Sequence, residues 1–195
     1  MTREELPLSV VFREVFTFLA GRTDVVVFGA HAVNAYASVE RMTQDVDVLA
    51  THAGPLAESL RAHLGTELHV AMRVREVIPG IGYRIYQLRD AKNRHLVDVR
   101  EARVLPPFVD VGGVRIVELV ELIAMKVVSM NARKGREKGL SDRLDLHRLL
   151  NAFPEHRAET GRVADRLQMG ESAPAHLAVW RELVAEVITP DIEDE

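Results

Sequence analysis

The sequence predicts an α+β fold: a mixed β-sheet flanked by helices, followed by a C-terminal helical region. Two observations carry this. Short apolar runs bounded by turn residues recur as far as Val117, and from there on apolar residues fall at helical spacing. The change of character divides the chain into an α/β core over 1–118 and a helical region over 119–195 packed on it. With 195 residues, 47% of them hydrophobic and 28% charged, the chain has the composition of a globular protein with a sizeable core.

Leu8, Val11, Phe12, Val15 and Leu19 recur at helical spacing, and Gly21 stands where such a helix stops. Asp24 leads into Val25, Val26, Val27 and Phe28, a short apolar run that reads as a buried strand. After Gly29 and Ala30, residues His31 to Ser38 read as a short helix. Val46, Val48 and Leu49 mark a second strand, which Asp45 and Asp47 interleave. Pro55 to Leu64 is a helix with proline in its first turn. Val74–Val77, Tyr83–Leu88 and Leu96–Val99 are further strands, separated by turns at Pro79-Gly80 and at 90–93. Asp110 to Val117 carries Gly112 and Gly113 between valines, a hairpin signal. Helices are expected over Val117–Met130, Ser141–Ala152, Thr160–Leu167 and Ala175–Val187, and Asp191–Glu195 as a frayed acidic tail.

Composition narrows the chemistry. The absence of cysteine removes disulfides, thiolate zinc sites and cysteine nucleophiles. The segment Met1 to Pro7 is charged and lacks a signal-type apolar core, and no apolar run approaches a membrane span, so a soluble cytoplasmic protein is expected. A net charge of -4 argues against coating nucleic acid by bulk electrostatics but leaves room for a local basic patch. Aromatic residues at 5% argue against stacking platforms for single strands. The eight histidines show no metal-binding spacing, and His31 reads as a polar residue at a helix start rather than a catalyst. Gly80-Ile81-Gly82 lacks the third glycine of a dinucleotide motif.

Two features remain. Asp45 and Asp47, two apart on a strand, project from one face, their Cα atoms about 6–7 Å apart. Apolar flanks at Val46, Val48 and Leu49 make solvation the weaker compensation for this like-charge pair and bound Mg²⁺ the stronger. A wet sheet edge is the other reading. The strand–Gly29-Ala30–helix step places backbone N–H groups where phosphate oxygens bind. Together the two features offer a phosphate cradle followed by a metal-ligand pair.

The run Phe28 to Val33, then Arg41-Met42-Thr43-Gln44-Asp45-Val46-Asp47-Val48, resembles the opening motif of the minimal nucleotidyltransferase superfamily, closest to the group of the type IV toxin AbiEii. Ala30 stands where that motif has a second glycine or a serine. The resemblance implies that Asp45 and Asp47 bind Mg²⁺, with Gly29, Ala30 and Thr43 at the nucleotide. It also implies that Asp98, a third carboxylate on a later strand, completes the metal site and accepts the proton of the attacking hydroxyl. A salt bridge to Arg94 or Arg100 is the plainer role for Asp98; Glu101 competes with it but alternation puts it on the opposite face. Lys126 falls on the stripe of Leu119, Leu122, Ile123 and Met130, where a lysine must snorkel or meet an anion. Lys126, Arg133, the basic run 133–138 and Asp142 also resemble the second half of AbiEii-type proteins, which implies a triphosphate contact at Lys126 and a supporting role for Asp142. A helix-start charge or a pair with Arg133 would equally explain Asp142. The basic run is ordinarily a solvated loop, with RNA phosphates as an alternative partner. The expected activity is Mg²⁺-dependent transfer of a nucleoside monophosphate from an NTP to a hydroxyl on a tRNA, a protein or a small molecule, in a toxin whose partner is an antitoxin. The alternative is a catalytically silent protein of this fold that binds a nucleotide or a partner.

Overall fold

The computed structural model describes residues 6–37, 41–170 and 172–186. The expected acidic tail, the N-terminal residues 1–5 and the helix ends at Ser38 and Val187 lie outside them. By its contacts the chain divides into two compact units, Met1–Ala35 with Glu40–Glu118, and Tyr36–Val39 with Leu119–Glu195.

The first unit contains α1 (Leu8–Leu19), β1 (Val25–Phe28), α2 (Gly29–Tyr36, whose last residue belongs to the second unit), β2 (Val46–Ala50), α3 (Ala53–Glu67), β3 (Met72–Ile78), β4 (Gly82–Gln87), β5 (Arg94–Glu101), β6 (Phe108–Val111) and β7 (Val114–Val117). Its seven strands form one sheet in the order β3-β4-β5-β2-β1-β7-β6. The β1/β7 and β2/β5 pairs are parallel and the others antiparallel, so the sheet is mixed. The α+β class holds.

Pleating sends alternate residues to opposite faces. Val46, Val48, Val97, Val99 and Ile85 share one face and are buried, as are Leu56, Leu60 and Leu64 of α3. Two contacts fix α3 on that face. The Tyr83 ring lies against Gly54, and a carboxylate oxygen of Glu101 accepts a hydrogen bond from the Ala53 N–H at 2.7 Å, satisfying a free donor of the first turn. Helix α1 joins α3 through Glu14 and His63, whose Oε1 and Nε2 are 2.6 Å apart.

Three boundaries differ from expectation for identifiable reasons. Strand β3 is longer than Val74–Val77 because it is an exposed edge strand whose arginines hide its period. Val117 ends a strand paired to β6 instead of opening a helix. Glu137 and Lys138, read as part of the basic turn, begin α5, and within its first turn Gly139 lies so close to the Arg133 carbonyl that no Cβ fits.

The second unit is helical: α4 (Leu119–Ala132), α5 (Glu137–Ala152), a 3₁₀ turn (Pro154–His156), α6 (Arg162–Gln168) and α7 (Ala173–Ala185). Leu122, Ile123, Leu146, Leu149, Leu150, Trp180 and Leu183 form its core. The Trp180 indole N–H donates to the Ala158 carbonyl at 2.9 Å, which removes the cost of burying that donor. Arg166 of α6 forms a two-pronged ion pair with Glu121 of α4. The Tyr36 ring meets Phe153 edge to face.

Candidate functional site: a carboxylate and imidazole cluster

The sheet face opposite α3 carries the acidic residues. Arg84, Asp98, Asp47 and Phe28 are successive cross-strand partners on β4, β5, β2 and β1, so their side chains leave the same face. Asp98 is 7% exposed, and its Oδ1 accepts a hydrogen bond from Arg84 Nε at 3.0 Å. This bond holds the Arg84 guanidinium above its ordinary pKa. Asp98 therefore does have an arginine partner, contributed by the neighbouring strand and not by Arg94 or Arg100.

Asp45 does not lie on the strand as expected. Strand β2 begins at Val46, and Asp45 occupies the bend before it. Thr43 Oγ1 donates to the Asp45 carbonyl at 3.1 Å, and Asn34 clamps the main chain of Arg41 through both its amide nitrogen (2.9 Å) and its amide oxygen (3.1 Å). Thr43 and Asn34 thus set the path of the chain into Asp45.

A histidine completes the cluster. Between the partner pairs Ile85–Val97 and Tyr86–His95 the register slips by one residue, so β5 carries a bulge at Leu96. Without it, His95 would face away from Asp98. With it, His95 Nδ1 lies 3.2 Å from Asp45 Oδ2, and Nε2 lies 3.8 Å from Asp98 Oδ2. Ligand atoms of Asp45, His95 and Asp98 all lie within 4.8 Å of one another. Spacing along the sequence pointed to no histidine ligand; the fold brings His95 beside the two aspartates.

These donors fit a divalent cation. His95 Nε2 is 3.2 Å from the Val97 carbonyl, a partner for its N–H. The tautomer that donates there turns an Nδ1 lone pair toward the Asp45 carboxylate, and a cation between them would join the two acceptors. A backbone carbonyl holding the far nitrogen is a usual support for a metal-binding imidazole.

Asp47 sits beside this set, outside the group of three. Its carboxylate lies against Gly29, which has φ +69° and no room for a Cβ. Ala30 is buried in the first turn of α2. The His31 ring is held edge-on between Phe12 and Phe16, and burial pushes its pKa down to about 4.

Lys126 and Asp142 meet each other within the second unit. Lys126 is buried and donates to Asp142 Oδ1 at 2.9 Å and Asp145 Oδ2 at 2.7 Å. Ser129 and Arg133 donate to the other oxygen of Asp142, at 2.7 and 3.1 Å. Lys126 thus meets two carboxylates of its own chain.

No family model and no curated protein matches the sequence. Solved structures do. A candidate nucleotidyltransferase from Helicobacter pylori superposes with a TM-score of 0.62 at 13% identity, over 91% of this chain and 93% of that one. JHP933 from the same organism gives 0.60 at 14% identity, over 90% and 89%. The Megavirus polyadenylate synthase gives 0.59 at 14% identity over 78% of this chain, which spans only 33% of that enzyme. The chain has the nucleotidyltransferase fold.

Proposed function

We propose that the chain is a metal-dependent nucleotidyltransferase that moves a nucleoside monophosphate from an NTP to a hydroxyl acceptor. The convergence of Asp45, His95 and Asp98 within 4.8 Å on this fold is the observation that carries the reading. Asp45, Asp98 and His95 would hold the cation, with Asp47 beside them against Gly29. Carboxylates suit Mg²⁺, and the added imidazole also suits Mn²⁺. Such an ion supplies charge neutralisation and alignment at the transferring phosphate.

The chain's own residues do the rest. Arg84 fixes the orientation of Asp98 and leaves its Oδ2 on the side of His95 and Asp45. Asp98 Oδ2 is assigned the acceptor proton as the hydroxyl oxygen bonds to the α-phosphorus. The bond from that phosphorus to the β-phosphate bridging oxygen breaks, and pyrophosphate leaves. The amides of Gly29 and Ala30 at the start of α2 are assigned to phosphate oxygens.

Incubation with each labelled NTP, Mg²⁺ or Mn²⁺ and a cell extract tests this. Pyrophosphate release that disappears in Asp98→Asn and Asp47→Asn supports the transferase. A folded protein that turns over no NTP with either metal overturns it and leaves the binding module, for which Ala30 in the motif speaks. The toxin role and an antitoxin partner rest on the AbiEii resemblance alone. Growth arrest on expression, relieved in Asp47→Asn, is the result they require.

A further inference from the structure

The face that carries Asp98 continues outward over β4 and β3, and its chemistry changes there. Arg84 is paired in register with Arg75, and Tyr86 with Arg73. Alternation puts all four side chains on the Asp98 face. Arg73 and Arg75 are exposed, roughly 6–7 Å apart along the edge strand, and neither has an acidic partner among the described residues. Glu76, the carboxylate of β3, is paired with Tyr83 on the α3 face. Arg75 stands directly across from Arg84, whose charge Asp98 already meets, so Arg73 and Arg75 are the guanidiniums of the strip left exposed. Arg84 joins the strip to the site through Asp98, and the Tyr86 ring lies 5.3 Å from that of His95.

We propose that this arginine strip binds the phosphate backbone of a single-stranded RNA whose terminal hydroxyl is the acceptor. The assignment of the acceptor rests on the transferase reading; the binding of RNA to the strip does not. A repeating phosphodiester matches an elongated row of guanidiniums that leads from a sheet edge to a carboxylate site, and it ends in a hydroxyl. The strip spans two strands beyond β5, on the order of 10 Å. Charged residues on an edge strand also discourage sheet-to-sheet association, a role that needs no polyanion.

Fluorescence anisotropy with a labelled short single-stranded RNA, measured across a salt series, separates these roles. Arg73→Gln/Arg75→Gln is expected to weaken binding at least about tenfold and to flatten the log–log salt slope by roughly 1.4, the value for two lost single-strand phosphate contacts. Both side chains are exposed, so an unchanged circular dichroism spectrum is expected. Lys134→Gln/Lys138→Gln, at the turn and the start of α5 in the other unit, is expected to bind as the wild type does. Asp45→Asn, which abolishes turnover under the transferase reading, is expected to keep its RNA affinity. Equal affinity of the wild type and the double arginine variant overturns the proposal. So does a variant that loses ATP affinity while keeping RNA affinity, since the strip would then serve the triphosphate. Strip-dependent RNA binding by a protein that turns over no NTP would leave the RNA site standing and overturn the acceptor assignment.

Discussion

At Gly29 two constraints fall on one atom. The backbone takes φ +69°, and the space a Cβ would fill is occupied by the carboxylate of Asp47. Gly29→Ala is expected to cost at least about 2 kcal/mol in chemical denaturation, from left-handed strain together with the displaced carboxylate. It should also remove turnover, since Asp47 cannot keep its place. His31 makes a different statement. Its pKa, about 4 when folded against 6.5 for a free histidine, means that between these values the unfolded chain binds the extra proton. Stability from this residue is therefore complete above pH 6.5 and declines toward pH 4, by on the order of 2 kcal/mol once partial solvent screening is allowed for. His31→Phe keeps the ring between Phe12 and Phe16. The difference between urea midpoints at pH 7 and pH 5 should be smaller in this variant than in the wild type; an identical difference would assign the pH dependence elsewhere.

At the scale of elements, the bulge in β5 decides what chemistry the sheet presents. One extra residue, Leu96, turns His95 onto the face of Asp98 while Leu96 and Val97 both stay buried. His95→Ala should weaken Mn²⁺ binding about ten- to a hundredfold in calorimetry, and Mg²⁺ binding less, because oxygen donors dominate Mg²⁺ affinity. Equal losses for the two metals would place His95 outside the first coordination sphere. In the second unit, Lys126 joins α4 to α5 by holding Asp142 and Asp145. Lys126→Met fills the same volume yet removes the ammonium that bridges the buried Asp142 and Asp145 carboxylates. A loss of about 3 kcal/mol is expected in thermal or urea unfolding, as for other buried ion pairs broken on one side. A neutral effect would mean that water or Arg133 compensates Asp142 fully.

For the whole molecule, metal binding and stability are linked. An ion that binds the folded cluster and not the unfolded chain adds about 2.7 kcal/mol at a hundred times its Kd. In a protein of 195 residues this raises the Tm by several degrees. Mn²⁺ or Mg²⁺ should produce that shift in the wild type, chelator should reverse it, and Asp45→Asn should lack it. No helix among the described residues is long and apolar enough to cross a membrane.

The sequence by itself determined the fold class and most of the elements, and it named Asp45, Asp47 and Asp98 as candidates. Those depend on local periodicity, on turn residues and on a short motif, all of which are written in consecutive positions. Asp98 was singled out through the family resemblance, on a strand apolar on both sides of it, and Lys126 because its helix face is apolar. The tertiary structure decided which groups meet. His95 reaches Asp45 and Asp98 only because β4 and β5 slip register, and strand pairing is set by residues far apart in the chain. Lys126 finds Asp142 and Asp145 because two helices fold back on each other, a meeting that no spacing along the chain announces. The arginine strip was hidden for the same reason: an exposed edge strand has no apolar period, so Arg73 and Arg75 join the carboxylate face only through the ladder that runs from β3 across β4 to β5.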